Sequence, residues 1–391
     1  MVSLSLCVLS SSLGTSSANV ALPTLARVFG APFSAVQWVV LAYLVAITSS
    51  IVAFGRLGDA LGRRRTLYLA SSIFCAASIA CSVAPVLSIL ILARALQGLG
   101  AAGMMALAVA FASEVVPKDR TGSAMGLLGA MSSVGTALGP SLGGLLVGAI
   151  GWRAVFVAHF VLGSLALVLL GRDEPRARKR SARAPLLPVP TPALITSLAA
   201  SAIVSCVVMT SMVVGPFYLS IALGLDAARV GLTMSVGSLV AALTGFPAGR
   251  VVDRFGTRPT TLMGLAGIAF GAIVLSLRPE HLGVPGYVAP MAALTASYAL
   301  FSAANNAAVM QHVAPEERGV VSGTLSLSRN LGLVAGTCVM GAVFALGTGA
   351  HDVTIASPHA VSQGLRTAYG VATALAALAF ALVFTTKGRE R

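Results

Sequence analysis

Charge is scarce in this sequence. Of its 391 residues only 10% are charged, whereas an ordinary soluble domain carries about 25%. Hydrophobic residues make up 57% of the chain and aromatic residues only 6%. So few charges cannot cover a water-exposed surface, and the composition therefore excludes a soluble globular protein.

Several kinds of site chemistry are also missing. The five cysteines lie singly within apolar runs, which argues against a disulfide framework. The five histidines are isolated and form no HExxH-like pair, so we predict no metal site and no enzyme. No GxxxxGK[ST] loop is present, so we expect no direct use of ATP. No cofactor is expected.

The chain does contain a series of apolar runs of about 20 residues, the length of a helix that crosses a hydrocarbon core of about 30 Å. We predict an all-α polytopic membrane protein with twelve transmembrane helices. The predicted spans are 2–24, 35–55, 66–84, 87–112, 122–148, 153–171, 194–222, 228–247, 260–277, 286–310, 320–346 and 364–385.

The basic residues indicate the topology. A net charge of +14 would suggest nucleic acid in a soluble chain, but most of the 26 basic residues fall in even-numbered connections and the C-terminal tail. We expect these segments, and both termini, on the cytoplasmic side of the plasma membrane, in contact with lipid headgroups. Met1 leads into SLSLCVLSSSLG without a basic leader, and we expect the natural chain to begin upstream of it.

The two halves of the sequence share a motif, because GRLGDALGRRR at 55–65 reappears as GRVVDRFGTRP at 249–259. The matched residues, 194 positions apart, are Gly55, Arg56, Asp59, Gly62 and Arg64, and then Gly249, Arg250, Asp253, Gly256 and Arg258. This repeat predicts two six-helix halves of the same orientation, at 1–171 and 193–391. The basic, proline-rich segment 172–192 is the predicted cytoplasmic linker. We expect the motif's glycines to supply the conformations of a sharp turn after span 2.

Several segments resemble signatures of the major facilitator superfamily. GRLGDALGRRR resembles its loop motif, and LARALQGLGAA at 92–102 its fourth-helix motif, with Arg94 and Gln97 at the matching positions. SSANVALPTLARVF, QWVVLAYLVA and GWRAVFVAHF are similar to segments of the drug:proton antiporters. GLLGAMSSVGTALGPSLGG fits the antiporter signature of the fifth helix at Gly126, Gly135, Gly139, Pro140, Gly143 and Gly144.

The resemblance implies a gating latch. Asp59 would pair with the start of helix 11 and with an acidic residue at the inner end of helix 4, here Glu114, with Arg63 as the bridge. One difference affects the expected mechanism. Relatives in the fourteen-helix branch carry an aspartate in helix 1, and this chain has Gly14 at that position. No Asp or Glu lies near the middle of any predicted span, so the usual proton-carrying carboxylate is missing.

The ionisable residues of the apolar interior are Arg94, Arg329 and His159. Such residues are functional candidates because an unpaired charge in hydrocarbon is costly. Arg94 is the best of them, since its motif is matched, and it could bind a carboxylate or phosphate of a substrate. Arg329 could instead snorkel toward the start of span 11. His159 could titrate near neutral pH or serve as a hydrogen-bonded structural histidine.

Polar and aromatic residues in spans 1, 2, 4, 7 and 10 complete the candidates for a substrate path. They are Asn19, Gln37, Trp38, Gln97, Phe217, Tyr218, Asn305 and Asn306. Helix–helix hydrogen bonding or interfacial anchoring explains each one singly about as well as substrate contact does. The Asn305–Asn306 pair is the better candidate, because two adjacent amides on an apolar helix are costly without a wet surface.

The glycines of helix 5 recur every four residues at Gly135, Gly139 and Gly143. They share one face of the helix, where a second helix can approach closely, and Pro140 can kink the helix. We predict a close-packed, bendable contact between helix 5 and the other half of the protein.

These observations predict a secondary transporter that exports a small amphiphilic or drug-like molecule by alternating access. Because no carboxylate lies in the interior, we expect a neutral, zwitterionic or anionic cargo. Ion antiport, with a proton as the coupling ion, is the energy source that the resemblance implies. The alternatives are an importer or facilitator of a small organic anion or metabolite, and a non-transporting membrane sensor. We expect a monomer that binds no nucleic acid.

Overall fold

The computed structural model describes residues 1–116, 121–172, 191–277, 282–311, 313 and 318–386, without the side chains of 113–115, 121–126, 130, 133, 172, 246, 318 and 319. Within these residues the regular elements are all helices, which confirms the predicted all-α class. They are α1 (Val2–Phe29), α2 (Phe33–Val36), α3 (Trp38–Leu61), α4 (Arg63–Ser82), α5 (Leu87–Val115), α6 (Thr121–Ala149), α7 (Arg153–Arg172), α8 (Pro192–Phe217), α9 (Ala227–Phe255), α10 (Thr257–Ser276), α11 (Gly283–Gln311), α12 (Arg318–Thr348) and α13 (Pro358–Thr385). A π-helix at Tyr218–Ala222 continues α8, and a 3₁₀ turn covers Val353–Ile355.

The described residues contain eleven helices that are long and apolar enough to cross a membrane by length and composition. The remaining long helix, α1, does not reach that apolarity because it is rich in serine. Most of its residues are buried by neighbouring helices, so its serine hydroxyls are placed to bond to protein rather than to lipid.

The repeated motif is more helical than we predicted. The prediction that its glycines all serve a turn is wrong, because α3 continues to Leu61 and includes Gly55, and α9 continues to Phe255 and includes Gly249. Of the glycines in the two copies of the motif, only Gly62 and Gly256 have a positive φ, of 94° and 84°, and turn the chain.

The chain divides into two compact units. The first unit holds α1 to α7 together with the start of α9, Asp226–Ser235, and the second holds α8, the remainder of α9 and α10 to α13. In the first unit α1 packs on α5, α6 and α7, while α5 also packs on α3 and α4. In the second unit α8 packs on α12, α10 packs on α11, and α13 packs on α8, α10 and α12.

Each unit contains a pair of arginine staples, which we define as Arg64 and Arg153 in the first unit and Arg258 and Arg366 in the second. Arg64 at the start of α4 donates to the carbonyls of Leu170 and Gly171 at the end of α7, each at 3.2 Å. Arg258 at the start of α10 likewise donates to Phe384 O at the end of α13, at 2.9 Å. Both arginines satisfy carbonyls that a helix end leaves without an intrahelical donor.

The other staple of each unit joins the same two helices at their opposite ends, with donor and acceptor helices exchanged. Arg153 at the start of α7 donates to Ala84 O, just after α4, at 3.4 Å. Arg366 in α13 donates to Ser276 O at the end of α10, at 3.2 Å. The helix pairs α4–α7 and α10–α13 are therefore joined at both of their ends by the same chemistry.

Candidate functional site

Two glycines of α5 allow the interior of the first unit to form. A Cβ atom built at Gly98 would lie 2.5 Å from Tyr43 O of α3, and one built at Gly100 would lie 2.6 Å from Phe74 N of α4. Contacts this short require the absence of a side chain. The close approach places Arg94 and Gln97, on the same helix, among α1, α3, α4 and α7.

The Arg94 side chain is fully buried, with 0% exposure. Its Nε donates to Val39 O at 2.9 Å, its Nη2 to Gly14 O at 2.9 Å, and its Nη1 to Gln97 Oε1 at 2.6 Å. The guanidinium carbon also lies 4.0 Å from the ring centre of Tyr43, in cation–π geometry. The buried charge is thus held by carbonyl dipoles and an aromatic face, with no carboxylate among these contacts.

Tyr43 fills the space beside Gly14. A Cβ atom built at Gly14 would lie 2.5 Å from the Tyr43 hydroxyl oxygen and 2.9 Å from the ring carbon that bears it. The hydroxyl itself donates to Ser11 O at 2.7 Å, which fixes the ring in place. Position 14, where the resembling antiporters carry an aspartate, therefore has no room for a side chain in this structure.

Gln97 links Arg94 to His159. Its Nε2 lies 2.7 Å from Ser78 Oγ and 3.3 Å from His159 Nδ1. The other ring nitrogen, His159 Nε2, lies 2.9 Å from Ser17 Oγ. We call these residues, namely Tyr43, Arg94, Gln97, His159, Ser17 and Ser78, the Arg94 network. It joins α1, α3, α4, α5 and α7 inside the first unit.

The directions of these hydrogen bonds follow from the chemistry of the groups. Arg94 can only donate, so the Gln97 atom that it contacts is the carbonyl oxygen, and the Gln97 amide nitrogen must donate to His159 Nδ1. His159 is consequently the tautomer with its proton on Nε2, and it donates to Ser17. The Ser17 hydroxyl in turn donates a hydrogen bond to Leu13 O at 2.8 Å, and the Ser78 hydroxyl donates one to Phe74 O at 2.7 Å.

Gly135, Gly139 and Gly143 of the antiporter signature contact α1, so the partner predicted for these three glycines is wrong. A Cβ atom built at Gly135 would lie 2.6 Å from Leu9 O, and one built at Gly143 would lie 2.7 Å from Ser17 O. At Gly139 it would collide with Ser16. Periodicity identifies the face of a helix but not the helix that covers it, and here the cover is α1, which carries Ser17 of the Arg94 network.

The rest of the signature has other surroundings. A Cβ atom built at Gly144 would collide with the Gly231 Cα atom, at the start of α9 within the first unit. Gly144 follows Gly143 by one residue, about 100° around the helix, and so faces a different neighbour. Pro140 is buried inside α6. Gly126 is helical, and its surroundings lie outside the described residues.

The predicted latch is described in part. Arg63 Nη2 pairs with Asp59 Oδ1 at 3.2 Å, and Arg63 Nη1 donates to Ala110 O of α5 at 2.8 Å. Arg63 therefore links Asp59 of the repeated motif to the backbone of α5. The side chains of Glu114 and of the first residues of α12 lie outside the described set. Arg56, Arg250 and Asp253 lie at or near the surface, and Thr257 stands where the first copy has Arg63.

The second unit has an interior of hydroxyls and rings. Tyr369 and Ser211 share a hydrogen bond at 2.9 Å, and the rings of Tyr218 and Tyr287 lie 5.7 Å apart. These four residues form what we call the tyrosine cluster. All four, and Phe217 at 0% exposure, are buried. Of the residues in this region, the sequence predicts only Phe217 and Tyr218 as candidates.

The remaining candidates are dispersed. Asn19 and Gln37 are buried, whereas Trp38 is 53% exposed and lies outside the Arg94 network. Asn19 Nδ2 donates to Thr15 O and Ser16 O of its own helix, at 3.1 and 3.2 Å.

In the second unit the predicted candidates make few contacts with one another. Asn305 Nδ2 donates to Ser197 O at 3.3 Å, and Asn306 is half-buried. Arg329 is also half-buried, and its Nη2 lies 3.4 Å from Ser326 Oγ. The structure therefore brings Arg94, Gln97 and His159 together, while the hydrogen bonds given above for Asn19, Asn305 and Arg329 lead to other residues.

Sequence reasoning missed the partners that complete the network. Ser17 and Ser78 look like small helix residues, and only their position beside Gln97 and His159 gives them a role. Tyr43 lies in the QWVVLAYLVA segment that carried the family resemblance, so an aromatic residue in a matched motif was an available signal.

Comparison with known proteins agrees with this fold. The family model of the Major Facilitator Superfamily matches residues 4–337 and 198–391. The chain therefore belongs to this superfamily of membrane transporters, which are not enzymes.

Two relatives illustrate the range of the family. Multidrug resistance protein Stp of Mycobacterium tuberculosis is 28% identical over 84% of this chain and 72% of its own length. Riboflavin transporter RibZ of Clostridioides difficile is 25% identical over 86% of this chain and 85% of its own length. The crystal structure of a bacterial homolog of the human lysosomal transporter Spinster covers 98% of this chain and 95% of its own, with a TM-score of 0.81 at 18% identity. That likeness concerns the fold.

Proposed function

We propose that this secondary transporter exports a small amphiphilic or drug-like molecule that is neutral, zwitterionic or anionic, by alternating access coupled to ion antiport. The observation that carries the proposal is the buried Arg94 guanidinium, whose contacts are carbonyl oxygens and an aromatic ring. A cationic cargo near this site would meet a fixed positive charge with no neighbouring carboxylate to offset it.

Arg94 acts in this proposal as a positioning residue. All three of its side-chain nitrogens donate within the protein, and its exposure is 0%. It would set the electrostatic sign of the interior and hold α1, α3 and α5 in register. Direct contact with cargo falls to the other candidates, namely Asn19, Gln37, Trp38, Phe217, Tyr218, Asn305, Asn306 and Arg329.

The relatives support cargo of this class. One bears the name of a multidrug resistance protein and another that of a riboflavin transporter. Riboflavin is an uncharged amphiphile at neutral pH, which fits an interior without carboxylates. The antiporter signature on α6 favours export. We propose in addition that the protein has two six-helix halves joined by a linker at 172–192. Both termini would lie on the cytoplasmic side, and the protein would be a monomer.

A second candidate function is import or facilitated movement of a small organic anion or metabolite. Arg329 favours it, because within the described part of the chain the hydrogen bond of this half-buried cation is a 3.4 Å contact with Ser326 Oγ. A carboxylate or phosphate on the cargo would be a stronger partner for the guanidinium.

The test is flux in proteoliposomes under an imposed pH gradient. The panel contains riboflavin as a neutral probe, norfloxacin as a zwitterion, carboxyfluorescein as an anion and ethidium as a cation. We expect flux of the neutral and zwitterionic probes that the gradient drives, and loss of flux in Arg94→Ala. The exposed Arg229→Ala is the matched control. Flux of ethidium alone, unaffected by Arg94→Ala, would contradict the cargo class, and carboxyfluorescein flux indifferent to the gradient would favour the second candidate.

A further inference from the structure

We propose that the imidazole Nδ1 of His159 is the proton-binding atom through which this chain couples transport to protons, with the Gln97 amide as its gate. The inference deepens the proposed function and rests on its ion coupling. It starts from the composition of the spans. Among the described residues, His159 is the buried histidine of a membrane-spanning helix, and no Asp or Glu lies near the middle of a predicted span.

The geometry leaves one place for a proton. His159 is 2% exposed, and its ring lies between Phe74 and Phe156, with ring centres 6.2 and 6.0 Å away. Its Nε2 already carries hydrogen and donates to Ser17. Its Nδ1 holds the remaining lone pair, and the Gln97 Nε2–H group covers it at 3.3 Å. A proton can add to the ring only at Nδ1, and only after Gln97 has moved.

The titratable and charged groups around His159 are few. The helix α5 contributes Arg94, which contacts Gln97, and α3 contributes Tyr43, stacked on Arg94. The helix α4 contributes Cys75, which bonds to Ser164, and Cys81. The helix α1 contributes Cys7, which bonds to Ser71, and α6 has no titratable side chain between Thr121 and Ala149. Arg94 is therefore the fixed positive charge that would repel a protonated His159.

Protonation makes His159 and Arg94 compete for one oxygen. A proton arriving from one side of the membrane forms an N–H bond at Nδ1, and the imidazolium then donates from both nitrogens. Gln97 can accept the new donor only by turning its amide so that Oε1 faces His159. That is the oxygen that accepts from Arg94 Nη1 at 2.6 Å. When the proton leaves to the other side, Nδ1 regains its lone pair and the amide turns back.

Through this competition, binding of a proton would change the contacts between helices. The turn of Gln97 ends the donation to Ser78 on α4 and the acceptance from Arg94 within α5. His159 itself joins α7 to Ser17 of α1. One protonation therefore changes the contacts among α1, α4, α5 and α7 of the first unit.

The first test separates coupling from movement in proteoliposomes loaded with riboflavin. It compares accumulation driven by a pH gradient with exchange at equal pH, for the unmodified protein, His159→Gln and Gln97→Glu. His359→Gln, at an exposed histidine, is the matched control. We expect His159→Gln to lower gradient-driven accumulation at least about tenfold while exchange persists. Gln97→Glu should do the same, because a carboxylate there would hold the imidazolium in place.

The outcomes distinguish this inference from the proposed function. Full gradient-driven accumulation in His159→Gln would overturn the role of His159 and leave the transport function intact. Riboflavin exchange in the unmodified protein that ignores the gradient would overturn the proton coupling. Absence of riboflavin flux in every form would count against the proposed cargo, and the histidine would then be decided by spectroscopy.

The spectroscopic test needs no cargo. His281, His312, His351 and His359 are replaced by Asn, and the remaining His159 is labelled with ¹⁵N and observed by NMR in nanodiscs. We expect a neutral ring with its proton on Nε2 at neutral pH, and a changed titration curve in Gln97→Leu, where the cover of Nδ1 is absent. A proton on Nδ1 of the neutral ring, or identical titration in Gln97→Leu, would overturn the proposal.

Discussion

The two units share their outer framework and differ in their interiors. The arginine staples join α4 to α7 in the first unit and α10 to α13 in the second, at both ends of each pair. Inside, the first unit holds the Arg94 network, whereas the second holds the tyrosine cluster. Arg94 is the eighth residue of α5, and the eighth residue of α11 is Pro290. The helix-end contacts are thus shared by the two units, whereas the interiors differ.

The difference shows which unit can hold a buried charged side chain. A buried guanidinium needs several acceptors at once, and the first unit supplies them through the close approach of α5 to α3 at Gly98. The second unit offers hydroxyl groups and aromatic faces, which suit uncharged groups. We therefore expect the first unit to respond to charge and the second to respond to shape and hydrogen bonding.

The largest effect is expected where the two interiors differ most. Arg94→Leu would leave Gln97 Oε1 without its donor and would remove the side-chain hydrogen bond that each of the Gly14 and Val39 carbonyls accepts in addition to its helical one. Since each unsatisfied buried polar group costs about 1–3 kcal/mol, we expect loss of transport and a clear decrease in thermal stability. Pro290→Ala, at the matching position of α11, should change both far less. Unfolding curves in detergent and flux in proteoliposomes measure the two effects, and equal losses would contradict the contrast between the units.

The next effect concerns the contact between α6 and α1. Gly139→Leu would force α6 away from Ser16 and displace the helix that carries Ser17, so we expect transport to fall by about tenfold or more at normal membrane levels. Gly129→Leu, on the same helix with nothing within 4 Å of an added Cβ atom, is the control. Immunoblots of membranes and flux assays make the comparison, and normal flux in Gly139→Leu would disprove it.

A smaller effect should separate the two copies of the repeated motif. Asp59→Asn removes the ion pair with Arg63, whereas Asp253→Asn changes an exposed carboxylate whose motif has Thr257 in place of Arg63. Because exposed ion pairs contribute about 0.2–1 kcal/mol, we expect transport to decrease several-fold in the first variant and little in the second, with insertion unchanged. Initial rates at saturating cargo are the measurement. The latch would lose its support if both variants transported like the unmodified protein.

The smallest effect should be the same in both units. Arg64→Ala and Arg258→Ala each remove a cation that bonds to carbonyls at a helix C-terminus, an interaction worth about 0.3–1 kcal/mol. We expect similar small decreases in melting temperature, with transport kept. Differential scanning fluorimetry can compare them, and a large effect in one unit alone would show that the framework is not shared after all.

Much of the fold could be predicted from the sequence, for physical reasons. Apolar runs of membrane-spanning length gave the helices, and the spacing of Gly, Asp and Arg gave the repeat. The helix ends were less accurate, since α3 and α9 continue through residues that we expected to turn. A hydropathy boundary marks where lipid contact ends, and backbone hydrogen bonding in a helix does not stop at that boundary.

The site was predicted only in part. Arg94, Gln97 and His159 were found because charged and amide groups are conspicuous in an apolar helix. Ser17, Ser78 and Tyr43 were missed because their role depends on which helices meet, and one-dimensional periodicity does not contain that information. The helix that contacts Gly139 was predicted wrongly for the same reason.

The packing of Tyr43 on Gly14 also constrains how the chain can change over generations. Gly14→Asp alone would collide with the Tyr43 hydroxyl, since even a Cβ atom lies 2.5 Å from it. Tyr43→Leu alone would remove the ring that faces Arg94 and add nothing in its place. Together the two substitutions would open a space for a carboxylate beside the guanidinium, so their effects should be strongly non-additive. A helix 1 acid could therefore be acquired here only by a path through a less fit intermediate, which makes the present interior persistent under mutation.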